Sequence, residues 1–366
     1  MPLLFHTLGL ILFLAIAPIT VNAQTEPTIT YTEGQVTAVL ENQTTQTPDG
    51  SQAIYQKLQI ELTDGQTIVT ELNQFVSSTA SSYQTGDRVV LTVSQNPDGT
   101  IHYTVTDYVR RGGLVGLLVL FLAVAVAVAG FKGISSTLGL VFSFFVIFAF
   151  ILPQINHGHN PTWVAIAGAG AIMPVTFYLS HGLHRKTTVA ILGTLAALVV
   201  TGLLGQFFIN LTYLSGFSSD EAIFLNLATQ GNLNMRGLLL AGIIIGALGI
   251  LDDITISQAA IVQELKSVNP GLTSRELFFK AMNVGRDHIA SLINTLILVY
   301  TGASLPLLLL FLDGSIGFAN ALNFELVAEE VVRTLVGSIG LVLAVPITTL
   351  IAARFLGNAE TQPHHH

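Results

Sequence analysis

The sequence predicts a polytopic α-helical membrane protein, with about seven spans following a small exported all-β barrel of the OB or SH3 kind. Three observations predict it. Of 366 residues, 51% are hydrophobic and only 10% charged, with a mean hydropathy of +0.66, which is too apolar for a soluble domain. Apolar stretches long enough to cross a bilayer recur from Gly112 to Ala353. Between Gln24 and Tyr108 the texture is instead Thr- and Gln-rich, with apolar and polar residues alternating as in half-buried strands. The formal net charge of -8 says little about partners, because the acids lie in the N-terminal region and the loops, and no nucleic-acid partner is expected. The absence of cysteine excludes disulfides, thiolate metal sites and cysteine nucleophiles.

Residues 1–23 form an export segment. Leu8 to Ile19 is a short apolar core, and Val21-Asn22-Ala23 places small residues where a signal peptidase prefers them. No Lys or Arg precedes the core, so a cleaved signal peptide and an uncleaved signal anchor both stay open. Either one exports the chain from Gln24 onward. In residues 24–109 strands are expected near Tyr31 to Glu41, Ile54 to Leu62, Gln66 to Leu72, Arg88 to Ser94 and Thr100 to Tyr108. Turns fall at Asp49-Gly50, Asp64-Gly65 and Asp98-Gly99, where glycine supplies a positive φ. With no aromatic cluster or basic stripe to bind sugar or nucleic acid, this barrel reads as a structural cap or partner-docking module.

Residues 110–357 form the membrane domain. Spans are expected over Gly112 to Gly130, Ile134 to Leu152, Thr162 to Ser180, Thr187 to Ile209, Gly237 to Ser257, Ile289 to Leu312 and Val331 to Ala353. Gly302 and Pro306 leave open whether 289–312 crosses once or is broken in two. Residues 358–366 are an expected disordered tail, in which His364, His365 and His366 are given no role. A single crossing puts Lys132, Arg185, Lys186, Lys266, Arg275, Lys280, Arg286 and Arg354 on one side, against Arg110, Arg111, Arg236 and Arg333 on the other. Cytoplasmic loops are the Lys/Arg-rich ones, so the barrel is expected outside the cell membrane and the C-terminus in the cytoplasm.

The fifth span carries the main contradiction, because it is apolar enough to cross yet holds acids that hydrocarbon excludes. Gly242, Gly246, Gly249, Asp253, Ser257, Ala260 and Glu264 fall within about 40° of one line on a helix. Such small residues admit a close neighbouring helix, and the acids on that side need water, a cation or a hydrogen-bonding partner. Asp252 points about 100° away from Asp253 and is a candidate to pair with a cation from another helix. Asn269-Pro270-Gly271 ends this helix, and Thr273 with Glu276 reads as a capping box that starts the next. On that next helix Asn283, Asp287, Ser291 and Asn294 share one face, and on the last span Arg333, Gly337 and Gly340 lie on one line below Glu329 and Glu330. The simplest packing brings the stripes together. Arg286 with Asp287, and Glu329 with Arg333, also read as boundary ion pairs. His157-Gly158-His159 has no carboxylate beside it, and neither a metal site nor a cofactor is expected.

Several motifs together resemble the YibE/F-like membrane proteins. They are His181-Gly182-Leu183-His184-Arg185-Lys186, Gly249-Ile250-Leu251-Asp252-Asp253-Ile254-Thr255-Ile256-Ser257-Gln258, Gly285-Arg286-Asp287-His288 leading to Asn294-Thr295-Leu296, and Glu330-Val331-Val332-Arg333 with Gly337-Ser338-Ile339-Gly340. The β-rich segment ending in Tyr108-Val109-Arg110 is similar too. The resemblance implies a multi-pass membrane protein in which Asp253, rather than Asp252, is the acid shared between the family's branches. It supplies no substrate and no catalytic residues.

Two functional readings follow. In the first the protein is a permease for an ion or small polar solute, with Asp252, Asp253, Ser257, Glu264, Asp287 and Asn294 along the path and Arg286, Glu330 or Arg333 as ion-pair or anion partners. In the second it is a non-transporting scaffold or sensor whose barrel binds a partner or envelope component. An enzyme is not expected, since no HExxH pair, GxSxG elbow or P-loop occurs. The expected partners are the lipid bilayer and the transported ion or solute, and self-association into a homo-oligomer is left open.

Overall fold

The computed structural model describes residues 29–46, 52–76, 82–95, 100–310 and 317–357. The export segment 1–23, the turns at Asp49-Gly50 and Asp98-Gly99, and the tail 358–366 lie outside the described residues. The chain divides into two compact units, Met1–Val124 and Ala125–His366.

In the first unit β1 (Ile29–Gln46), β2 (Gln52–Leu62), β3 (Thr67–Val76), β4 (Arg88–Gln95) and β5 (Ile101–Tyr108) form one antiparallel sheet in the order β3-β2-β1-β4-β5. Its curl comes from β1. The first part of β1 pairs with β4, from Ile29↔Ser94 to Gln35↔Arg88, while its remainder pairs with β2, from Gly34↔Leu62 to Gln46↔Gln52. Register shifts at Val36/Ala38 and Val39/Glu41 bend the shared strand, so the sheet becomes a half-barrel. Gly34 sits where the ladders overlap, and a Cβ there would lie 2.8 Å from Glu61 O.

Alternation then sets the core. Leu58, Ile60 and Leu62 on β2, Ile68 and Leu72 on β3, Val89 and Leu91 on β4 and Val105 on β5 all turn inward with Val36 and Tyr83. Gln56 is buried among them and fully engaged, donating from Nε2 to Tyr83 O at 3.1 Å and accepting from Tyr83 N at 2.8 Å. Thr70 Oγ1 on β3 donates to Tyr103 O on β5 at 2.6 Å, bringing the sheet's two outer strands together. The expected Asp64-Gly65 turn is present, with Gly65 at φ 86° and Gln66 N donating to Asp64 Oδ1 at 3.0 Å.

The helices are α1 (Arg111–Ala129), α2 (Phe131–Asn156), α3 (Pro161–His181), α4 (Arg185–Leu211), α5 (Asp220–Ala228), α6 (Met235–Val268), α7 (Ser274–Ala303), α8 (Leu305–Leu310), α9 (Phe318–Ala321) and α10 (Glu325–Phe355). Among the described residues α1, α2, α3, α4, α6 and α10 are the six long and apolar enough to cross a membrane. The stretch expected to supply a further span is divided. α7 ends at Ala303 and α8 starts at Leu305, because Pro306 lacks an N–H and its ring clashes with the preceding turn, and α7 is not among the six.

Local signals account for most boundaries. The side chains of Asn160, Ser219 and Asn234 cap α3, α5 and α6, and Thr273 with Glu276 forms the expected capping box on α7. Helix α2 is π-helical from Ile147 to Ile151, just before Pro153. There Ile151 is buried against Gly168 of α3. The centre of the second unit is α4, α6 and α10, which all pack on one another, with α3 against α6, α2 against α3, and α7 against α10 and α6. Small residues permit the close crossings: Gly193 of α4 lies against Thr348 of α10, Gly340 of α10 against Thr201 of α4, and Gly205 of α4 against Leu240 of α6.

Candidate functional site

Asp252 and Asp253 lie midway along the 34-residue α6. Although successive helical residues diverge by about 100°, both line a single half-open cavity of about 440 Å³ between α2, α3 and α6. That volume suits a hydrated ion or small solute, given that ligand pockets run from about 300 to 1,000 Å³. Its polar lining gathers where α2 begins and α3 ends, at Ser136, Ser180 and His181 beside the two acids. Away from that end the lining is aliphatic, from Leu140, Ile147, Ile172 and Ile245.

The hydrogen-bonding capacity of the cavity is unevenly engaged. Ser143 Oγ donates back to Gly139 O at 3.0 Å and Thr176 Oγ1 to Ile172 O at 3.1 Å, so those hydroxyls serve their own helices. Ser136 Oγ reaches Ser180 Oγ at 3.4 Å. Asp252 Oδ1 is buried and meets no hydrogen-bond donor, and neither Asp252 nor Asp253 has an ion-pair partner among the described residues. Asp253 is exposed at the cavity. A carboxylate oxygen shut away from water without a donor is costly, and a cation or proton entering the cavity would relieve that cost.

The three polar stripes read from the sequence face different ways. On α6 the glycines Gly242, Gly246 and Gly249 have nothing within 4 Å of an added Cβ, so no described residue packs closely on them, and Gly249 joins Asp253 in lining the cavity. Ser257 is half-buried and Glu264 exposed, both outside the cavity lining. On α7 the residues Asn283, Asp287, Ser291 and Asn294 are all exposed, because the packed side of that helix is Leu277, Ala281, Gly285 and Leu296. Arg286 Nη1 donates to Asn283 Oδ1 at 3.3 Å and makes no ion pair with Asp287.

Arg333, Glu329 and Glu330 form a separate cluster at the start of α10. Arg333 Nη2 meets Glu329 Oε1 at 2.5 Å and its Nε lies 3.9 Å from Glu330 Oε2, while Ser218 donates to Glu329. One turn earlier Glu325 accepts from Ser215 N at 2.5 Å and from Gly216 N at 3.0 Å, pinning the loop after α4 to α10. Apart from Glu329, the buried polar side chains described on α4, α6 and α10 are threonines and Gln258. Thr194 and Thr255 share a hydrogen bond of 2.7 Å there, and Gln258 Nε2 donates to Ala281 O and Thr349 Oγ1. The structure thus brings Asp252 and Asp253 together with Ser136, Ser180 and His181, and leaves Ser257, Glu264, Asp287, Asn294, Arg286, Glu330 and Arg333 elsewhere.

Ser136 and Ser180 were missed from the sequence, although the signal existed. Ser136, Gly139 and Ser143 on α2, and Thr176 with Ser180 on α3, are small polar residues at helical spacing, as on α6. Compared with known proteins, residues 117–358 match a family model described as YibE/F-like protein. No curated protein and no solved structure matches the chain.

Proposed function

We propose that this chain, which belongs to the YibE/F-like family, is a non-enzymatic multi-pass permease whose intramembrane carboxylates pass a cation or small polar solute through the cavity between α2, α3 and α6. The observation that carries this reading is the meeting of Asp252 and Asp253 in one cavity, with Asp252 Oδ1 lacking a donor. Acids held inside a membrane protein face a hydrated path or a partner, and among the described residues no hydrogen-bond donor meets Asp252 Oδ1 and no ion-pair partner meets either acid. Asp253, exposed at the cavity, receives the ion, Asp252 shares its charge or proton, and Ser136, Ser180 and His181 supply polar contacts in place of hydration.

With α7, which runs alongside α10, counted as a seventh crossing, the Lys/Arg distribution supports an orientation in the cell membrane with the half-barrel outside and the C-terminus in the cytoplasm. Lys132, Arg185 and Lys186 flank the end where α2 begins and α3 ends, so in this orientation the polar end of the cavity faces the cytoplasm. The half-barrel is then an OB- or SH3-like cap or docking module. Flux in proteoliposomes tests the assignment. Asp253→Asn is expected to abolish the cation or proton movement that the wild-type chain supports while leaving its melting temperature close to wild type. Unchanged flux would remove Asp253 from the path, and a wild-type chain that moves nothing would favour the scaffold or sensor.

A further inference from the structure

The cavity that holds Asp252 and Asp253 is longer than a single ion needs. Its lining runs on α6 from Ile245 to Ile256 and on α2 from Ser136 to Ile147, which is roughly 16 Å of helix at about 1.5 Å per residue. Its chemistry changes along that length. At the polar end the two acids have no ion-pair partner among the described residues, and Asp252 Oδ1 meets no donor. In the middle, Ser143 and Thr176 turn their hydroxyl protons back to Gly139 O and Ile172 O, so neither offers a donor to a guest. The far end is aliphatic, lined by Ile147, Ile172, Ile245 and Leu248.

The change of wall from one end to the other selects the guest. A hydrated inorganic ion would set its water against the leucine and isoleucine walls, with no apolar surface removed from water. Among the described residues no group of three His, Asp or Glu side chains able to hold a metal ion occurs. A wholly apolar guest would leave the carboxylates uncompensated. An ammonium ion that carries an alkyl chain answers both ends. Its head has three N–H donors for the two carboxylates and the Ser136 and Ser180 hydroxyls, and its chain displaces water from the aliphatic walls. Gly249 keeps the passage between the ends open, because it lines the cavity one turn from the acids and a Cβ added there would meet nothing within 4 Å.

We propose that this cavity takes a protonated aliphatic amine, with its ammonium head at Asp252 and Asp253 and its chain directed toward Ile147 and Ile245. The proposal rests on the reading that these acids receive the transported cation, and it names the class of that cation. Titration calorimetry of the purified full-length chain in phospholipid nanodiscs, with empty nanodiscs as the partition control, compares methyl-, propyl- and pentylammonium chloride with sodium and potassium chloride. Affinity is expected to rise about fourfold for each added methylene, the factor that ~0.8 kcal/mol per buried CH2 gives. Asp253→Asn is expected to weaken every amine by about tenfold or more, as the loss of one charge-assisted hydrogen bond does. Gly249→Leu, which fills the passage and keeps both acids, is expected to weaken pentylammonium more than methylammonium. An unchanged preference in that variant would take the alkyl chain out of the cavity and overturn the proposal. So would an affinity indifferent to chain length, no amine binding at all, sodium or potassium bound as tightly as pentylammonium, or a chain-length gain that survives intact in Asp253→Asn. Binding is read here without a gradient. Amine binding without flux would therefore keep this site and remove the permease, whereas proton or inorganic-ion flux without amine binding would keep the permease and remove this ligand.

Discussion

Gln258 Nε2 on α6 donates to Thr349 Oγ1 on α10 at 2.7 Å, and the same nitrogen donates to Ala281 O on α7 at 3.1 Å. One buried amide thus joins three helices, and Gly285 gives it room, since a Cβ there would come within 3.1 Å of Gln258 Nε2. Gln258 lies on α6 one and a half turns past Asp252 and Asp253, so it fixes the helix that carries the acids against the part of the bundle that does not line the cavity.

Replacing this amide tests the joint. Gln258→Leu removes the donor and leaves Ala281 O and Thr349 in an apolar setting, an expected loss of about 1–3 kcal/mol. Thermal unfolding of the purified chain in one detergent measures it. A variant as stable as wild type would show that the joint is dispensable.

Glycines on different helices are expected to respond oppositely. Gly340→Val drives a branched side chain into Thr201, for an expected cost of about 1–3 kcal/mol or a failure to assemble. Gly246→Ala meets nothing within 4 Å, and the gain in helix propensity should make it neutral or stabilising by up to about 1 kcal/mol. Expression and melting temperature of the paired variants check the contrast.

Asp252 should separate stability from transport. Asp252→Asn keeps the shape of a side chain whose Oδ1 finds no donor and removes its charge from a partly buried position. The expected outcome is a melting temperature equal to or above wild type together with reduced flux. A destabilised variant would mean that the carboxylate serves the fold.

The half-barrel carries a pH dependence of known sign. Lys57 Nζ lies 3.0 Å from Glu71 Oε1 across the β2–β3 pair, and this hydrogen bond holds the Glu71 carboxyl below its usual value. The folded sheet therefore binds fewer protons than the unfolded chain between the two values. The contribution is present above the ordinary glutamate range and is lost as pH falls through the lowered folded value. Amide exchange of β2 and β3, followed from neutral to acid pH, is expected to lose protection more steeply in wild type than in Glu71→Gln. Parallel curves would remove the pair from the account. Because both side chains are exposed, the effect should be small and fade with added salt.

Much of the architecture was legible in the residues. Apolar length located α1, α2, α3, α4, α6 and α10, the Thr273/Glu276 box marked the start of α7, and alternation placed the strands. The division at Ser304 was less legible, because Gly302 and Pro306 each allow a break without requiring one. Asp252 and Asp253 stood out as acids inside an apolar helix, and the cavity gathers both.

Helical periodicity in the sequence determined which residues of α6, α7 and α10 share a face, since 3.6 residues per turn is a property of one helix alone. It could not determine what each face meets. That choice depends on side-chain fit between elements distant in the chain. Gly340 and Gly193 settle against Thr201 and Thr348, bringing α4 and α10 close together, while the α6 acids line the cavity with α2 and α3. Tertiary packing alone decided that Asp253 would share a cavity with Ser136 and His181, while Asp287 and Asn294, no less polar in the sequence, would be left on the outer face of α7.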